Sequence, residues 1–438
     1  MGFSLRMIAE NIRFEQAVTL NALERAVPQD EVEAVIEDLG MQEKRVRKLP
    51  AFMTLLLCIG MGLYTNIGLE SVLNKMVKGL RYIWPGDEDY QTAGRSAISQ
   101  ARYRLGAKPV VELFHRICKP MTTENTPGAF LFGLRLMSID GIIEDVPDTP
   151  ANAAYFGRHH SNRGDGAFPQ MQAVYLCESG SHAICDAGFW PCHTSERMGG
   201  LRMLRSVGEG MLVMWDRGFH SFDMAIRTLE RKAHFLSRLP SHVKPEFVEA
   251  LDDGSYLAWI YPSEYSARSV VSVSWCASSS TLSMTRIVLG MVRFIVWLPH
   301  CWTPTCIQLT HWLANTTSDG LLIAHYAIRS IMHDAAVQHH LDPDRLSFVN
   351  AVRIISDAVS EFQMTTPEQV GRLYQRLLDD IARHRLPERE DRSNPRVVKR
   401  KMSKFKLKRA EHLRWPQPTK SHRFPWGSSN WQVFQSMP

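Results

Sequence analysis

The sequence predicts an α/β protein with a helical amino-terminal part followed by a mixed sheet. Residues 1–125 carry apolar side chains at the spacing of amphipathic helices. Between residues 130 and 240, short apolar runs alternate with helical stretches and are separated by turn signals. A chain of 438 residues can hold two or three domains and bury a large core.

Four helices are predicted in the amino-terminal part, over residues 30–39, 49–64, 69–80 and 97–105. The last belongs to a stretch, residues 91–106, that has the pattern of a capped helix. We expect this helix to expose Arg95, Ser99, Gln100, Arg102 and Arg104. Such side chains contact bases or phosphates in DNA complexes. A solvated helix face with no partner explains any single one of them nearly as well.

Five strands are predicted next, near residues 133–140, 169–178, 182–189, 210–216 and 233–238. Helices are predicted near residues 195–206 and 220–231. Residues 178–181 (ESGS) indicate a hairpin between the second and third strands. The sheet is therefore expected to begin with three antiparallel strands and to continue with strand, helix and strand.

Two aspartates stand where apolar strands are predicted to end. The first strand runs into Asp140 and Gly141, and the fourth runs into Asp216, Arg217 and Gly218. A strand holds its last side chain rigidly, and a following glycine lets a ligand approach the backbone. Neighbouring carboxylates repel and usually share a proton or a divalent cation, and oxygen ligands suit Mg²⁺ or Mn²⁺. From spacing alone, capping of the following helices is the favoured explanation.

Seven stretches of the chain resemble a known family, and this resemblance favours a cation site over helix capping. They are residues 138–141 (SIDG), 145–157 (DVPDTPANAAYFG), 167–170 (AFPQ), 215–219 (WDRGF), 325–329 (HYAIR), 341–348 (LDPDRLSF) and 393–401 (SNPRVVKRK). As a set they resemble the DDE transposases of bacterial insertion sequence family four. The resemblance reaches from about residue 27 to about residue 420.

The resemblance implies a ribonuclease-H-like sheet in which Asp, Asp and Glu hold a pair of Mg²⁺ ions, or Mn²⁺ in their place. Asp140 and Asp216 correspond to the two aspartates, and the predicted strand order would end their strands side by side. The implied activity is Mg²⁺-dependent cleavage at terminal inverted repeats, followed by attack of the 3′-hydroxyl on target DNA by a homodimer in a synaptic complex. Arg217 would meet phosphate. Ile142 stands where the family often has a small polar residue.

Positive charge is concentrated near the carboxyl end. The net charge is +6, yet residues 392–423 hold twelve Lys or Arg against one acid. Such a run suits phosphate contacts that weaken steeply with salt, although charge runs are often solvated and unpartnered. The residues expected to contact DNA are Lys399, Arg400, Lys401, Lys404, Lys408 and Arg409.

Other classes of protein are disfavoured. Eight cysteines without paired CxxC spacing indicate neither a zinc ribbon nor a disulfide scaffold. No signal peptide is recognised, and the apolar run at residues 52–64 is too short to span a bilayer. A cytoplasmic, nucleoid-associated protein without membrane contact is expected.

Residues 269–318 do not resemble their surroundings. No acid lies between Glu264 and Asp319, and Arg286 and Arg293 are the only Lys or Arg within residues 269–318. One interpretation is the apolar, β-rich insertion that this family carries before its glutamate. A membrane segment is disfavoured, because Arg293 interrupts the run and Pro299 follows soon after.

The genetic code favours a third interpretation, a frameshift near Arg268. When the third base of each codon is read with the first two of the next, Met291-Val292 must give Gly and Trp302-Thr303 must give Asp. Permitted choices elsewhere yield a charged, alternating segment that resembles the family closely and ends in YHERW. Stop codons in that frame of the gene would exclude the hypothesis.

The frameshift would remove the third acid. In the family this Glu lies on a helix with Tyr seven residues before it, Arg four before it and Lys seven after it. YHERW begins that helix, whereas residues 321–329 resume the family pattern at a much later point. Tyr326 and Arg329 have the first spacing, but residue 333 is His. Glu361 and Asp334 are possible substitutes, although surface or capping roles suit both better.

The predicted divisions are residues 1–125 (helical, with possible DNA contact), 130–268 (catalytic core), 269–320 (aberrant insertion), 321–385 (helical part of the core) and 386–438 (basic tail). The predicted function is a transposase whose catalysis is lost in this copy. The alternatives are a DNA-end-binding protein without catalysis and, less favoured, another metal-dependent nuclease on the same sheet.

Overall fold

The computed structural model describes most of the chain before the basic tail. The described residues are 23–43, 49–78, 93–161, 164–237, 239–240, 246–250, 256–259 and 311–387. Those before Pro387 form one compact unit. The basic tail from residue 388 and residues 260–310, which include most of the proposed frameshifted segment, lie outside the described residues.

The amino-terminal part is helical, as predicted. Its helices are α1 (Gln29–Asp38), α2 (Ala51–Leu63), α3 (Leu69–Met76), α4 (Arg95–Leu105) and α5 (Lys108–Ile117). Helix α2 is apolar on all sides, and every residue in it except Phe52 is buried. A helix that is hydrophobic all round belongs inside a core, so this one is the centre of the amino-terminal part.

A six-stranded mixed sheet follows. In chain order the elements are β1 (Phe130–Leu131), β2 (Leu134–Asp145), α6 (Pro150–Phe156), β3 (His160–Ser161), β4 (Gly164–Asp165), β5 (Gln170–Glu178), β6 (Ile184–Pro191), α7 (Glu196–Met203), β7 (Met211–Trp215), α8 (Phe222–Glu230), β8 (His234–Ser237), β9 (Glu246–Ala250) and β10 (Tyr256–Trp259). Two short hairpins, β3–β4 and β9–β10, stand apart from the main sheet.

The order of the main sheet is β6-β5-β2-β7-β8, with β1 paired to β2. Strands β2, β5 and β6 are antiparallel, whereas β7 runs parallel to both β2 and β8. This is the ribonuclease-H-like order, and the predicted fold class is confirmed. The reason is local: each run has the apolar content of a buried strand, and helices α7 and α8 supply the connections that parallel strands need.

Strand β2 is longer than predicted. It continues through Asp145 because it pairs with β5 as far as the Asp145–Gln170 register, whereas its parallel partner β7 stops at Trp215. Asp140 therefore lies inside a strand and not at its end. Glu144 and Asp145, which follow the predicted strand, are strand residues as well.

The carboxyl-terminal helices complete the core. They are α9 (His311–Gln338), α10 (Phe348–Met364) and α11 (Pro367–Arg383). Helices α2 and α9 approach closely, since a Cβ added at Gly62 would lie 2.7 Å from Ala324 Cβ, and one at Gly320 would lie 2.5 Å from the Cys58 carbonyl oxygen. The amino-terminal helices thus share one hydrophobic core with residues 321–385. No helix among the described residues is long and apolar enough to cross a membrane.

Candidate active site

Two adjacent parallel strands bring Asp140 and Asp216 together. Ile139 of β2 is directly opposite Trp215 of β7, and the two aspartates are the next residues along each strand. At this point β7 ends, while β2 continues beside β5 with Asp140 opposite Tyr175. Both carboxylates therefore stand at the place where a gap opens between the two strands.

The environment of Asp140 disfavours its charged form. Its side chain is half-buried, and burial raises the pKa of its carboxyl group. A hydrogen bond of 2.8 Å from the Gly141 amide acts in the opposite direction, and the neighbouring Asp216 raises the pKa further. Asp216 is exposed and accepts a hydrogen bond of 2.7 Å from the Gly218 amide. The charge of Asp216 thus acts on Asp140, as expected of two potential ligands of one cation.

A third carboxylate, which the sequence analysis did not single out, lies beside them. Glu196 is the first residue of α7 and is half-buried. Burial raises the pKa of its carboxyl group, and Asp216 and then Asp140 raise it further. The only sequence signal was an acid in the first turn of the helix predicted at residues 195–206, which is a common position for any acid.

The donor set fits a hard divalent cation. Its groups are carboxylate oxygens, which suit Mg²⁺ and Mn²⁺. Side chains at positions 141 and 218 would crowd the acids, since a Cβ at either position would lie within 3.3 Å of a Glu196 oxygen. Because both residues are glycines, this space stays open. Among the described residues, no three His, Cys, Asp or Glu side chains already stand at ligand distance from one point. A Mg²⁺ ion needs only one or two carboxylates in direct contact, because it keeps several waters.

A neighbouring acid on β2 has a different environment. Glu144 accepts a hydrogen bond of 3.0 Å from the Tyr175 hydroxyl. Burial raises the pKa of Glu144, and this hydrogen bond lowers it. Glu144 is not among the charged groups that shift the pKa of Asp140 or Glu196.

The basic residues expected to contact DNA divide into exposed and buried ones. Arg217 is exposed immediately after Asp216, and Arg95 and Arg104 are exposed on α4. Arg104 also donates a hydrogen bond of 3.1 Å to the Leu49 carbonyl oxygen. The tail residues from Lys399 to Arg409 lie outside the described residues.

The expected exposure of Arg102 is wrong. Its relative exposure is 0%, and it lies against Cys58, whose pKa it lowers although burial dominates and raises that pKa. The reason is helical periodicity: Ile98, Ala101 and Leu105 form the buried stripe of α4, and position 102 falls on the same stripe. Arg102 is therefore a core residue.

Comparisons with known proteins agree on one family. The model of the insertion element 4 transposase amino-terminal domain matches residues 17–115. Transposase InsG for insertion sequence element IS4 of Escherichia coli K12 is 24% identical over 412 residues, which cover 84% of this chain and 90% of that protein. Putative transposase InsZ of the same strain is 30% identical over 181 residues, which cover 40% of this chain and 60% of that protein. The family model and the two relatives together support an insertion element 4 transposase.

A solved structure is also similar to this transposase. A piggyBac transposase in a synaptic complex with hairpin DNA has a TM-score of 0.40 and 13% sequence identity, and the match covers 89% of each chain. The strand order of the main sheet, and not this similarity, is the basis of the fold class.

Two acids of the carboxyl-terminal helices, Asp334 and Glu361, were considered as substitutes for the third acid. Helix α9 runs without interruption across residues 320 and 321, where the predicted junction lies. Asp334 accepts a hydrogen bond of 2.8 Å from the Tyr374 hydroxyl, and Glu361 is exposed on α10. Neither is among the charged groups that shift the pKa of Asp140 or Glu196.

Three residues of α9 occupy the positions of the family's Tyr–Arg–Glu spacing, and each has a structural partner. Tyr326 donates a hydrogen bond of 3.0 Å to the Lys119 carbonyl oxygen. The Arg329 guanidinium lies 4.6 Å from the centre of the Phe348 ring. His333, at the position where a glutamate would be expected, is within 3.2 Å of the Thr126 hydroxyl. These contacts give each of the three residues a structural role in the packing of α9.

Proposed function

We propose that this transposase is built for divalent-metal-dependent cleavage of DNA at the terminal inverted repeats of its element, with Asp140 and Asp216 holding the metal. The observation that supports this most is the register of β2 and β7, which makes the two aspartates neighbours. A bound Mg²⁺ or Mn²⁺ would lower the pKa of a water nucleophile and stabilise the leaving oxygen of the phosphodiester.

The protein's own contribution is positioning. Asp140 is held by strand pairing on β2, and the Gly141 and Gly218 amides each donate to one of the two carboxylates and fix its orientation. Arg217 is exposed beside Asp216 and is the group we assign to the phosphate of the substrate. A rigid first strand with an exposed cation next to the acids is suited to aligning a DNA backbone.

We further propose that strand transfer, the attack of the 3′-hydroxyl on target DNA, is lost in this copy. The family's third acid and its helix have no counterpart in the sequence after residue 320. Removal of one catalytic group typically costs two to four powers of ten in rate. Sequencing of the gene around codon 268 and reading of all frames tests the cause, and a stop codon in the alternative frame would exclude a frameshift.

The experiment for the main proposal is a nicking assay on DNA that carries the inverted repeats flanking the gene. The full-length protein, Asp140→Asn and Asp216→Asn are compared in Mg²⁺, in Mn²⁺ and in EDTA. Glu249→Gln is the matched control, because it removes an exposed carboxylate from β9. We expect weak, metal-dependent nicking at the repeat ends that both aspartate variants abolish. Nicking that survives in Asp140→Asn would contradict the proposal.

A second candidate function is binding of DNA ends without catalysis, through residues 30–110 and 392–423. The exposed Arg95 and Arg104 of α4 favour it, as does the basic composition of the tail. Footprinting on the same DNA separates the candidates: protected repeat ends without nicking support binding alone, and nicking at unrelated sequences indicates a general nuclease. Sedimentation of the protein with paired ends tests the homodimer expected in a synaptic complex.

A further inference from the structure

We propose that Phe219 is a positioning residue of the candidate metal site: its buried ring sets the place of the turn at residues 216–220 relative to Asp140. The inference rests on the proposed metal-dependent function and deepens it. The Phe219 side chain has no oxygen or nitrogen that could ligate a cation, so it acts on the metal only through the two aspartates. Its role is to keep the Asp140 and Asp216 carboxylates at the separation that one cation requires.

The backbone of Phe219 belongs to the turn that carries Asp216. The Phe219 amide donates a hydrogen bond of 3.3 Å to the Asp216 carbonyl oxygen, and the His220 amide donates one of 3.4 Å to the Arg217 carbonyl oxygen. His220 is buried, and its Nδ1 lies 3.1 Å from the Ser237 hydroxyl of β8. The turn is therefore connected to the sheet after Asp216 as well as before it.

The ring of Phe219 reaches the strand that carries Asp140. The side chain is 1% exposed, and its Cζ atom lies 3.3 Å from where a Cβ on Gly141 would be. The Gly141 amide donates the hydrogen bond of 2.8 Å that orients the Asp140 carboxylate. A shift of the ring would therefore change the space beside the group that holds Asp140.

Helix α7 packs against another part of the same ring. A Cβ on Gly200 would lie 2.7 Å from Phe219 Cδ1 and 3.3 Å from Phe219 Cε1, so the ring lies directly against the helix backbone. One side chain is thus packed between α7, β2 and its own turn after β7. Protein interiors are too densely packed for such a ring to move without moving its neighbours. Phe219 therefore acts as a spacer between the two segments that carry the aspartates.

The pairing of the strands does not itself fix the two carboxylates. The parallel register of β2 and β7 ends at Ile139 and Trp215, one residue before each acid. Mg²⁺ demands near-ideal octahedral geometry with oxygen ligands at about 2.0–2.1 Å, and binding groups must be held within about 0.5 Å of their productive arrangement. Beyond the last paired residues, the Phe219 ring is the contact that relates the turn carrying Asp216 to the strand carrying Asp140.

The simplest competing explanation is that Phe219 is an ordinary core residue. A buried ring stabilises the fold wherever it lies, and its truncation leaves a cavity. That role predicts a fall in Tm with unchanged metal affinity. A positioning role predicts a fall in Tm together with weaker metal binding, which truncation of a core ring elsewhere would not produce.

The test uses Mn²⁺ alone as the probe and measures its binding to the full-length protein by electron paramagnetic resonance. Phe219→Leu is compared with wild type and with Phe362→Leu, the matched control, which shortens a ring that is 2% exposed on α10, a helix that carries no residue of the site. We expect both variants to lower Tm, but only Phe219→Leu to weaken Mn²⁺ binding, by about tenfold. Phe219→Met, which is longer than leucine and flexible enough to fill the gap, should restore part of the affinity.

The outcomes separate this inference from the proposed function. Circular dichroism at the assay temperature verifies that each variant is folded, and Phe219→Met carries the test if Phe219→Leu is not. Unchanged Mn²⁺ affinity in the folded Phe219 variant would overturn the inference, and so would an equal loss in Phe362→Leu. If Asp140→Asn and Asp216→Asn lose affinity in either case, the aspartate site still stands. Unchanged affinity in both aspartate variants would overturn both proposals.

Discussion

Asp140 and Asp216 follow two residues, Ile139 and Trp215, that are directly opposed on adjacent parallel strands. The relationship is set by backbone pairing and not by side-chain contacts, so it survives changes in either carboxylate. Conservative variants of the two acids can therefore report on chemistry without disturbing the sheet.

Gly218, two residues after Asp216, allows a test of how closely the acids are packed. We expect Gly218→Ala to weaken Mn²⁺ binding about tenfold, because its new Cβ would lie 2.9 Å from Asp216 Oδ1 and 3.1 Å from Glu196 Oε2 and would push one of them aside. Titration with Mn²⁺ measures the effect. Gly208→Ala is the control, since nothing lies within 4 Å of its added Cβ. Equal affinities in the two variants would show that the space beside Gly218 is not used.

A buried ion pair connects the start of β2 to the end of β5. Glu178 is 0% exposed and pairs with the Arg135 guanidinium, while the Thr122 and Ser181 hydroxyls donate to it at 2.7 and 2.6 Å. Arg135→Met would leave a buried charge without its cation, and we expect it to lower the free energy of unfolding by about 3 kcal/mol. Urea denaturation measures the change.

The control for that prediction is Lys232→Met, which breaks an exposed pair with Glu209 at 3.5 Å. An exposed pair contributes at most about 1 kcal/mol, so the control should change the urea midpoint little. If Arg135→Met behaves like Lys232→Met, then the buried ion pair is not important for stability.

Asp319 of α9 gives a pH dependence of stability. It is buried, and burial raises the pKa of its carboxyl group from 3.8 to about 8. The unfolded chain loses this proton near pH 4, whereas the folded chain keeps it up to about pH 8. The stability contributed by Asp319 is therefore fully present below pH 4, and it is lost progressively as the pH rises to about 8.

Replacement of Asp319 by its neutral isostere should remove this dependence. We expect Asp319→Asn to raise the free energy of unfolding by at least about 2 kcal/mol at pH 8 and to change it little at pH 4. Thermal or urea unfolding at the two pH values measures this. Asp357→Asn, at an exposed position of α10, should show no such gain. A gain for Asp319→Asn that is the same at both pH values would contradict the assignment.

Arg95 and Arg102 lie on the same helix, yet they should respond differently to replacement by alanine. Arg95 is exposed and Arg102 is buried. Arg95→Ala should weaken binding to repeat DNA and reduce the slope of log affinity against log salt by about one, without lowering Tm. Arg102→Ala should lower Tm because it removes a core side chain.

The binding control is Arg372→Ala, which removes one exposed charge from α11. It should leave the salt slope unchanged, since α11 is not part of the surface that we assign to DNA. A slope that falls equally for Arg95→Ala and Arg372→Ala would mean that general charge, and not the face of α4, determines binding.

Most elements of the sheet could be predicted from the sequence because their signals are local. The hairpin at residues 178–181 and the apolar run before Asp216 both appeared where they were expected. The length of β2 could not be predicted, because its second half is a strand only by virtue of pairing with β5 as far as Gln170. A charged run such as Glu144–Asp145 has no strand signal of its own.

The chain's periodicity, its turn signals and its family motifs were sufficient to predict the fold class, the order of the strands and the adjacent strands that lead to Asp140 and Asp216. Tertiary packing alone decided that Arg102 is buried and that Glu196 stands beside the two aspartates. The physical reason is that strand pairing repeats a local pattern, whereas the placement of a helix depends on contacts between residues distant in sequence. For Glu196 those contacts are the close approaches of Gly199 to Val174 and of Gly200 to Phe219.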